Sequence, residues 1–229
     1  MSQPAEPYST KSDFAYTMLR EKILSGDFAP GQVLNQATLA RTIGISTTPL
    51  REALRRLKSE GLVELGAHRD AKVTDLSAEE ARDLVEVRRS LDPLAAALAA
   101  ERRTKADIAA IREAAGIEPL RRDFGADHLR AHRRFHSAVY RASHNDLLIA
   151  TLDGLWDKAD RYRRAGLVVE RSQEERDQKT HEHERLVECV VAGDAQGAAA
   201  VMHEHISTSL GARAAARLGV PLATPSALR

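Results

Sequence analysis

Residues 44–61, Gly-Ile-Ser-Thr-Thr-Pro-Leu-Arg-Glu-Ala-Leu-Arg-Arg-Leu-Lys-Ser-Glu-Gly, decide the fold of the first third of the chain. Gly44 breaks whatever precedes it, and Ser46 stands where a helix N-cap belongs. Pro49 falls in the following first turn, where its missing N–H is not needed. Leu50, Ala53, Leu54 and Leu57 then recur at helical spacing, with Arg51, Arg55 and Lys58 on the other side, and Gly61 ends the run. Upstream, Leu39, Ala40 and Ile43 share one side of a short helix from about Gln36 to Ile43, and Ile45 is a small buried anchor in the turn. Helix, glycine turn, helix is the helix-turn-helix arrangement.

Working outward, Ser12 can cap an earlier helix carrying Phe14, Ala15, Met18, Leu19 and Ile23. That helix ends at Ser25-Gly26-Asp27, and Pro30-Gly31 makes a turn. Downstream, Leu62-Val-Glu-Leu65 and Ala71-Lys-Val-Thr74 alternate as two short strands joined by Gly66-Ala-His-Arg-Asp70, which makes a wing. Net charge is +1, and residues 1–75 hold ten basic against nine acidic side chains, so bulk charge does not point to nucleic acid. Placement does: Arg51, Arg55, Arg56 and Lys58 share a helix with Glu52 alone opposing them. Such a helix can enter a major groove, its first residues at base edges and its basic residues on phosphates. The candidate DNA-binding residues are Ser46, Thr47, Thr48, Arg51, Arg55 and Lys58, with His68 and Arg69 at the wing tip. A solvated basic face on an ordinary three-helix domain is the alternative.

The chain as a whole, 229 residues with 43% hydrophobic and 29% charged side chains, is globular in composition, and its Ala, Leu, Arg and Glu favour helices. No apolar run approaches the ~20 residues of a membrane span, and Met1–Asp13 lacks the apolar core of a secretory signal. The single cysteine, Cys189, sits in Leu186-Val-Glu-Cys-Val-Val and reads as a small hydrophobe rather than a reactive thiol. The expected location is cytoplasmic.

After a linker at residues 75–78, Ser77 and Glu80 form a capping-box pattern, and helical periodicity runs on. The expected segments are 78–102, 105–115, 127–142, 146–165, 171–192 and 195–217, an antiparallel bundle of six or seven helices. The expected fold is therefore mainly α, an N-terminal winged helix-turn-helix over residues 8–75 and a C-terminal all-helical bundle over 79–218. Residues 219–229, with Pro221 and Pro225, read as a disordered tail.

Eight of the nine histidines fall within residues 128–205. His132 and His136, four apart, lie on one helical face, and His183 and His205 stand on later helices. Inward imidazoles from three helices can build a metal site; surface or satisfied core histidines are the alternative. His181 and His203 point away from their neighbours two residues on, and His128 and His144 read as surface or loop residues. A zinc peptidase is excluded, because H-E-x-x-H needs a glutamate after the first histidine and His132 is followed by Arg133. No nucleophile motif, phosphate loop or dinucleotide fingerprint occurs, so no enzyme is expected.

Gly31-Gln-Val-Leu34, Leu39-Ala40, Gly44-Ile-Ser46, Pro49-Leu-Arg-Glu-Ala-Leu-Arg-Arg-Leu57 and Glu60-Gly-Leu-Val-Glu64 closely resemble the winged-helix domain of GntR-family bacterial transcription regulators. Two departures stand out: Thr47 where the family commonly has Arg, and His68-Arg69-Asp70 where it commonly has Gly. Since a bidentate Arg contributes ~1–3 kcal/mol of base discrimination, Thr47 implies a different operator, or more reliance on phosphates and the wing.

The second half resembles the FCD effector-binding domain of the FadR subgroup of that family. The resemblance rests on Leu84-Val-Glu-Val-Arg-Arg-Ser-Leu-Asp92, Phe135-His136, Ala142-Ser-His-Asn145, His183-Glu-Arg-Leu-Val-Glu188, Gly193-Asp194-Ala195 and Met202-His-Glu-His-Ile206. It implies a divalent metal held by one Asp and three His, here His136, His183 and His205, often completed by a small organic acid. The family's Asp position is His132. Four neutral ligands would favour Zn or Ni over Mn and attract an anionic effector; His132 pointing away from a weak site is the alternative. By the same resemblance Arg88 is the candidate clamp for the effector carboxylate. Asn145 either donates to the ligand or caps the next helix.

The reading that follows is a ligand-responsive regulator, a repressor, that binds a palindromic operator on double-stranded DNA as a homodimer and responds to a small carboxylate. The Ala- and Leu-rich first helices of the second domain serve either as dimer surface or as core. The rivals are a metal-ion sensor without organic effector and a helical metalloenzyme.

Overall fold

The computed structural model describes residues 10–66, 70–117, 125–166 and 172–218. The wing-tip candidates His68 and Arg69, and the expected tail at 219–229, lie outside the described residues. The chain divides into two compact units, Met1–Leu76 and Ser77–Arg229.

The first unit runs α1 (Lys11–Ser25), β1 (Val33–Asn35), α2 (Gln36–Ile43), α3 (Thr47–Ser59), β2 (Val63–Leu65) and β3 (Asp70–Val73). Helix α1 begins two residues earlier than Ser12 would set it. Thr10 is the N-cap, accepting from the Asp13 N–H at 3.1 Å and donating to the Asp13 carboxylate at 2.7 Å. Gly44 closes α2 at φ 73°, where no neighbour crowds it and only the left-handed backbone asks for glycine. Ser46 occupies the N-cap of α3 as expected, but its side chain makes no cap hydrogen bond. Leu50, Ala53, Leu54 and Leu57 are fully buried among Leu19, Ile23, Leu62 and Val73.

The sheet has three strands, in the order β1-β3-β2, all antiparallel. The sequence shows only the two wing strands, because three residues at β1 give a single alternation, exposed–buried–exposed. β1 pairs Val33, Leu34 and Asn35 with Lys72, Ala71 and Asp70. It is delivered by the turn at Gly31, which stands at φ 78° with the Asp75 carboxylate where a Cβ would go, 2.6 Å away. Asn35 then leaves the strand and caps α2, accepting from the Thr38 N–H at 3.0 Å.

The second unit is α4 (Ala78–Arg102), α5 (Lys105–Ala115), α6 (Gly125–Arg141), α7 (Asp146–Gly166), α8 (Gln173–Ala192), α9 (Ala195–Ser207) and α10 (Leu210–Arg217). The long α4 runs through Pro93 and supports the others. Its Ala95, Ala96, Ala99 and Ala100 are fully buried, and α9 packs along them with Ala198, Val201 and Met202. Two expectations change. The capping box at Ser77 is only half formed: Ser77 accepts from the Glu80 N–H at 3.3 Å. The Glu80 carboxylate turns instead to Lys158 and the Tyr162 hydroxyl, both at 2.7 Å. The single expected helix 195–217 is two. Thr208 returns its hydroxyl to the Glu204 carbonyl at 3.0 Å, and Ser209 caps α10 through the Ala212 N–H at 3.3 Å. Consecutive hydroxyl side chains offered the backbone an alternative to continued helix.

Candidate functional site

Four imidazoles converge in the core of the second unit. His132 and His136 come from successive turns of α6, His183 from α8 and His205 from α9, all buried, each offering a nitrogen within 4.8 Å of the others. The Nε2 atoms of His132, His136 and His205 form a triangle with sides of 3.1, 3.2 and 3.2 Å. These distances are those of hydrogen bonds, yet hydrogen bonds cannot account for them. A neutral imidazole nitrogen either carries a proton or a lone pair, never both. Three such atoms can therefore satisfy at most two sides of a triangle, and the third sets proton against proton or lone pair against lone pair. A cation at the centre removes the conflict, since all three lone pairs then point inward. Ligand nitrogens ~2.0–2.1 Å from a tetrahedral metal stand roughly 3.3–3.4 Å apart, close to what is seen. The residues present fit a divalent metal.

Burial holds the rings in the ligating, neutral form. It pushes His132, His136 and His205 well below the usual 6.5, and neighbouring imidazoles with Arg163 and Arg88 push the same way. Behind His205 its Nδ1–H donates to Glu182 Oε2 at 2.8 Å. The Nδ1 atoms of His132 and His136 are buried with no hydrogen-bond partner among the described residues.

The effector candidates fare differently. Arg88 is buried near the cluster, but its Nη2 donates to Asp92 at 2.8 Å and its Nε at 3.3 Å, and its guanidinium lies 4.7 Å over the Trp156 ring. Burial opposes its charge, yet Asp92 and Tyr140 outweigh burial and hold the pKa above its ordinary value. In this structure the Arg88 guanidinium is thus paired with a carboxylate of its own chain. Asn145 takes the capping role, accepting from the Leu148 N–H at 3.1 Å. Of its two expected roles, the structure shows Asn145 as the N-cap of α7.

A cavity of about 10 Å³ opens beside the cluster, lined by His128, His132, Arg163, Lys179, His183, His205, Ser209 and Leu210. His128, expected at the surface, is 2% exposed. Its place four residues before His132 continues the row on α6, a signal that could have found it. Arg163, Lys179 and Glu182 were missed because charged residues on a helix read as solvated. A larger cavity of about 280 Å³ lies between α5 and α8, with His183 in its wall. His144 sits in the loop before α7, 2.8 Å from Asp107. Burial pushes the Cys189 thiol up, in keeping with an unreactive side chain.

In the first unit, Thr47, Thr48, Arg51, Arg55 and Lys58 are all exposed. At ~100° per residue they fall within an arc of about 100° of α3. Arg51 is steadied by α2, its Nε donating to Gln36 Oε1 at 3.3 Å. Arg56 is occupied elsewhere, 2.7 Å from Asp13 and 3.8 Å over the Tyr16 ring. A wing beside a basic, solvent-facing helix defines the class, a DNA-binding regulator.

Residues 11–70 match the gntR family of bacterial regulatory proteins, and residues 83–208 match the FCD domain. The chain is similar to the HTH-type transcriptional regulator LutR of Bacillus subtilis, 31% identical over 81% of this chain and 93% of that one. It is also similar to the HTH-type transcriptional repressor GlaR of Escherichia coli, 28% identical over 85% and 92%. In fold it matches E. coli McbR/YncC, TM-score 0.74 at 22% identity, over 91% of this chain and 97% of that one. The chain belongs to the GntR family of bacterial transcription regulators, a family of regulators and not of enzymes, and its second unit is an FCD domain. No helix among the described residues is long and apolar enough to cross a membrane.

Proposed function

We propose that this chain is a cytoplasmic, ligand-responsive repressor that binds a palindromic operator as a homodimer, its DNA affinity set by a small carboxylate bound at a metal centre. The observation that carries the reading is the triangle of Nε2 atoms that hydrogen bonding cannot satisfy. His132, His136, His183 and His205 would hold the metal, Zn or Ni by donor type. When bound, such an ion supplies a positive centre. Four neutral imidazoles cancel none of it, which favours an anionic partner. Arg163 and Lys179 in the wall of the adjoining cavity add to that field.

For DNA, Thr47 and Thr48 at the start of α3 stand where base edges are read, while Arg51, Arg55 and Lys58 follow as phosphate contacts. Two-fold operators require two copies. Val87 and Leu94 on α4, 45% and 47% exposed and two turns apart, are an apolar stripe on which a second copy can pack.

Elemental analysis of protein purified without chelators tests the centre; less than stoichiometric divalent metal sinks it. A second reading, a sensor of the metal ion itself, is favoured by the size of the adjoining cavity, about 10 Å³, room for little more than one water. Thermal shifts with acetate and citrate, on metal-loaded and metal-free protein, separate the two. A carboxylate shift that needs the metal supports an organic effector, and none with either acid supports the ion alone.

A further inference from the structure

His181-Glu182-His183 places three consecutive polar side chains on α8, about 100° apart. His183 enters the centre and His181 is exposed. Glu182 goes to a third place: it is buried, 3% exposed, and its Oε2 accepts the Nδ1–H of His205 at 2.8 Å. The same oxygen accepts from Lys179 Nζ at 2.6 Å, and Lys179 also reaches the His205 carbonyl at 3.3 Å and the Thr208 hydroxyl. Among the described residues, neither His132 nor His136 has a hydrogen-bond partner at Nδ1. Of the three rings in the triangle, only His205 is held from behind.

We infer that Glu182 is a positioning residue for the metal centre: it fixes His205 with the proton on Nδ1 and the lone pair on Nε2, and Lys179 tempers it. This rests on the metal reading of the four-imidazole cluster. An outer carboxylate orients its ring and makes the nitrogen a better donor, and losing such a partner costs 10–100-fold in metal affinity elsewhere. The Lys179 ammonium draws charge from the carboxylate and opposes a divalent ion. The two members of one ion pair should therefore act on metal affinity in opposite directions, whereas a pair that merely braces α8 against α9 would act in one.

The test is competition for Zn²⁺ against a chromophoric chelator, on the full chain and its Glu182→Met, Glu182→Gln and Lys179→Met variants. Expected is a loss of roughly 10–100-fold for Glu182→Met. Glu182→Gln, whose amide oxygen still accepts the Nδ1–H, should lose less, and Lys179→Met should bind Zn²⁺ at least as tightly as the wild type. Equal weakening by Glu182→Met and Lys179→Met, or no effect of Glu182→Met, overturns the inference. Histidine ¹⁵N shifts of the metal-free protein give a second readout. His205 should carry its proton on Nδ1 in the wild type and Glu182→Gln, and populate both tautomers in Glu182→Met. A wild type that binds no Zn²⁺ defeats the metal reading alone, since the tautomer of His205 still reports on Glu182. Where Glu182→Met does not fold, the Gln variant and the wild-type tautomer decide: a proton on Nε2 in the wild type overturns the inference.

Discussion

The two cores of this chain are built from different materials. Among the described residues, the first unit buries one polar side chain, Gln36, while the second buries twelve, including His128, His132, His136, Lys179, Glu182, His183 and His205. The first packs leucine, isoleucine, valine and alanine inside and leaves its candidate function on the surface of α3. The second takes its candidate function into the core, where unpaired polar groups are costly. The readout half can change its contacts with little effect on its fold. On the proposed reading the sensing half cannot, because one set of residues would both hold it together and bind.

The largest break in that comparison is His136→Ala. A ligand bound only by the native state stabilises it by about 4 kcal/mol when free ligand stands ~1,000-fold above its Kd. Stripping metal from the wild type should therefore lower the melting temperature of the helical unit, and His136→Ala should be both metal-free and indifferent to chelator. Identical chelator sensitivity in the two proteins would rule out His136 as a ligand. His132→Asp should differ in kind, keeping a site but shifting preference toward Mn²⁺, because carboxylate oxygen is a harder donor than imidazole. Competitive metal titrations check this, and unchanged preference would mean that His132 stands outside the coordination.

Next in size is Leu94→Glu. A charge placed on the exposed stripe of α4 touches neither core, so circular dichroism should stay unchanged while sedimentation shows a monomer. With the half-sites no longer bound together, operator affinity should fall by at least ~100-fold. A variant that remains dimeric would move the interface elsewhere.

Arg51→Ala sharpens the contrast from the other side. It should weaken operator binding by ~1–3 kcal/mol without unfolding the protein. Its fold-level loss among the described residues is the 3.3 Å bond to Gln36. Equal affinity at two salt concentrations would take α3 out of the groove.

How much of this was legible in the sequence follows the same division. Helix α3 could be read because its apolar and basic faces alternate cleanly, and α4 because Ser77 caps it. The resemblance to FCD domains, read with the spacing of His132 and His136 on one helix face, brought together the four histidines that the fold converges. Strand β1 was too short to show a period, and the break between α9 and α10 depends on Thr208 and Ser209 turning their hydroxyls to the backbone. Glu182, Lys179 and Arg163 were invisible for a deeper reason. A charged residue on a helix is usually solvated, and only the assembled core shows which charges are enclosed. Arg88 shows the same limit: the sequence offers it as a clamp, and only the assembled core shows that it pairs with Asp92 one turn on.

The smallest expected effects come from two adjacent arginines on α3. Arg56 lies 2.7 Å from Asp13 and 3.8 Å over Tyr16, so it fastens α3 to α1. Its side chain is 48% exposed, which keeps the ion pair in the range of ~0.2–1 kcal/mol, and the cation–π contact adds ~0.5–1 kcal/mol. Arg56→Ala should therefore cost about 1 kcal/mol of stability and leave operator affinity alone. Arg55 is exposed one position earlier, about 100° around the helix, in line with Arg51. Arg55→Ala should leave stability within ~0.5 kcal/mol, weaken operator binding and reduce its salt slope by about one. Melting curves and salt-dependent binding on the two variants make the comparison. If Arg56→Ala loses DNA while Arg55→Ala loses stability, the face of α3 turned to the groove has been assigned the wrong way round.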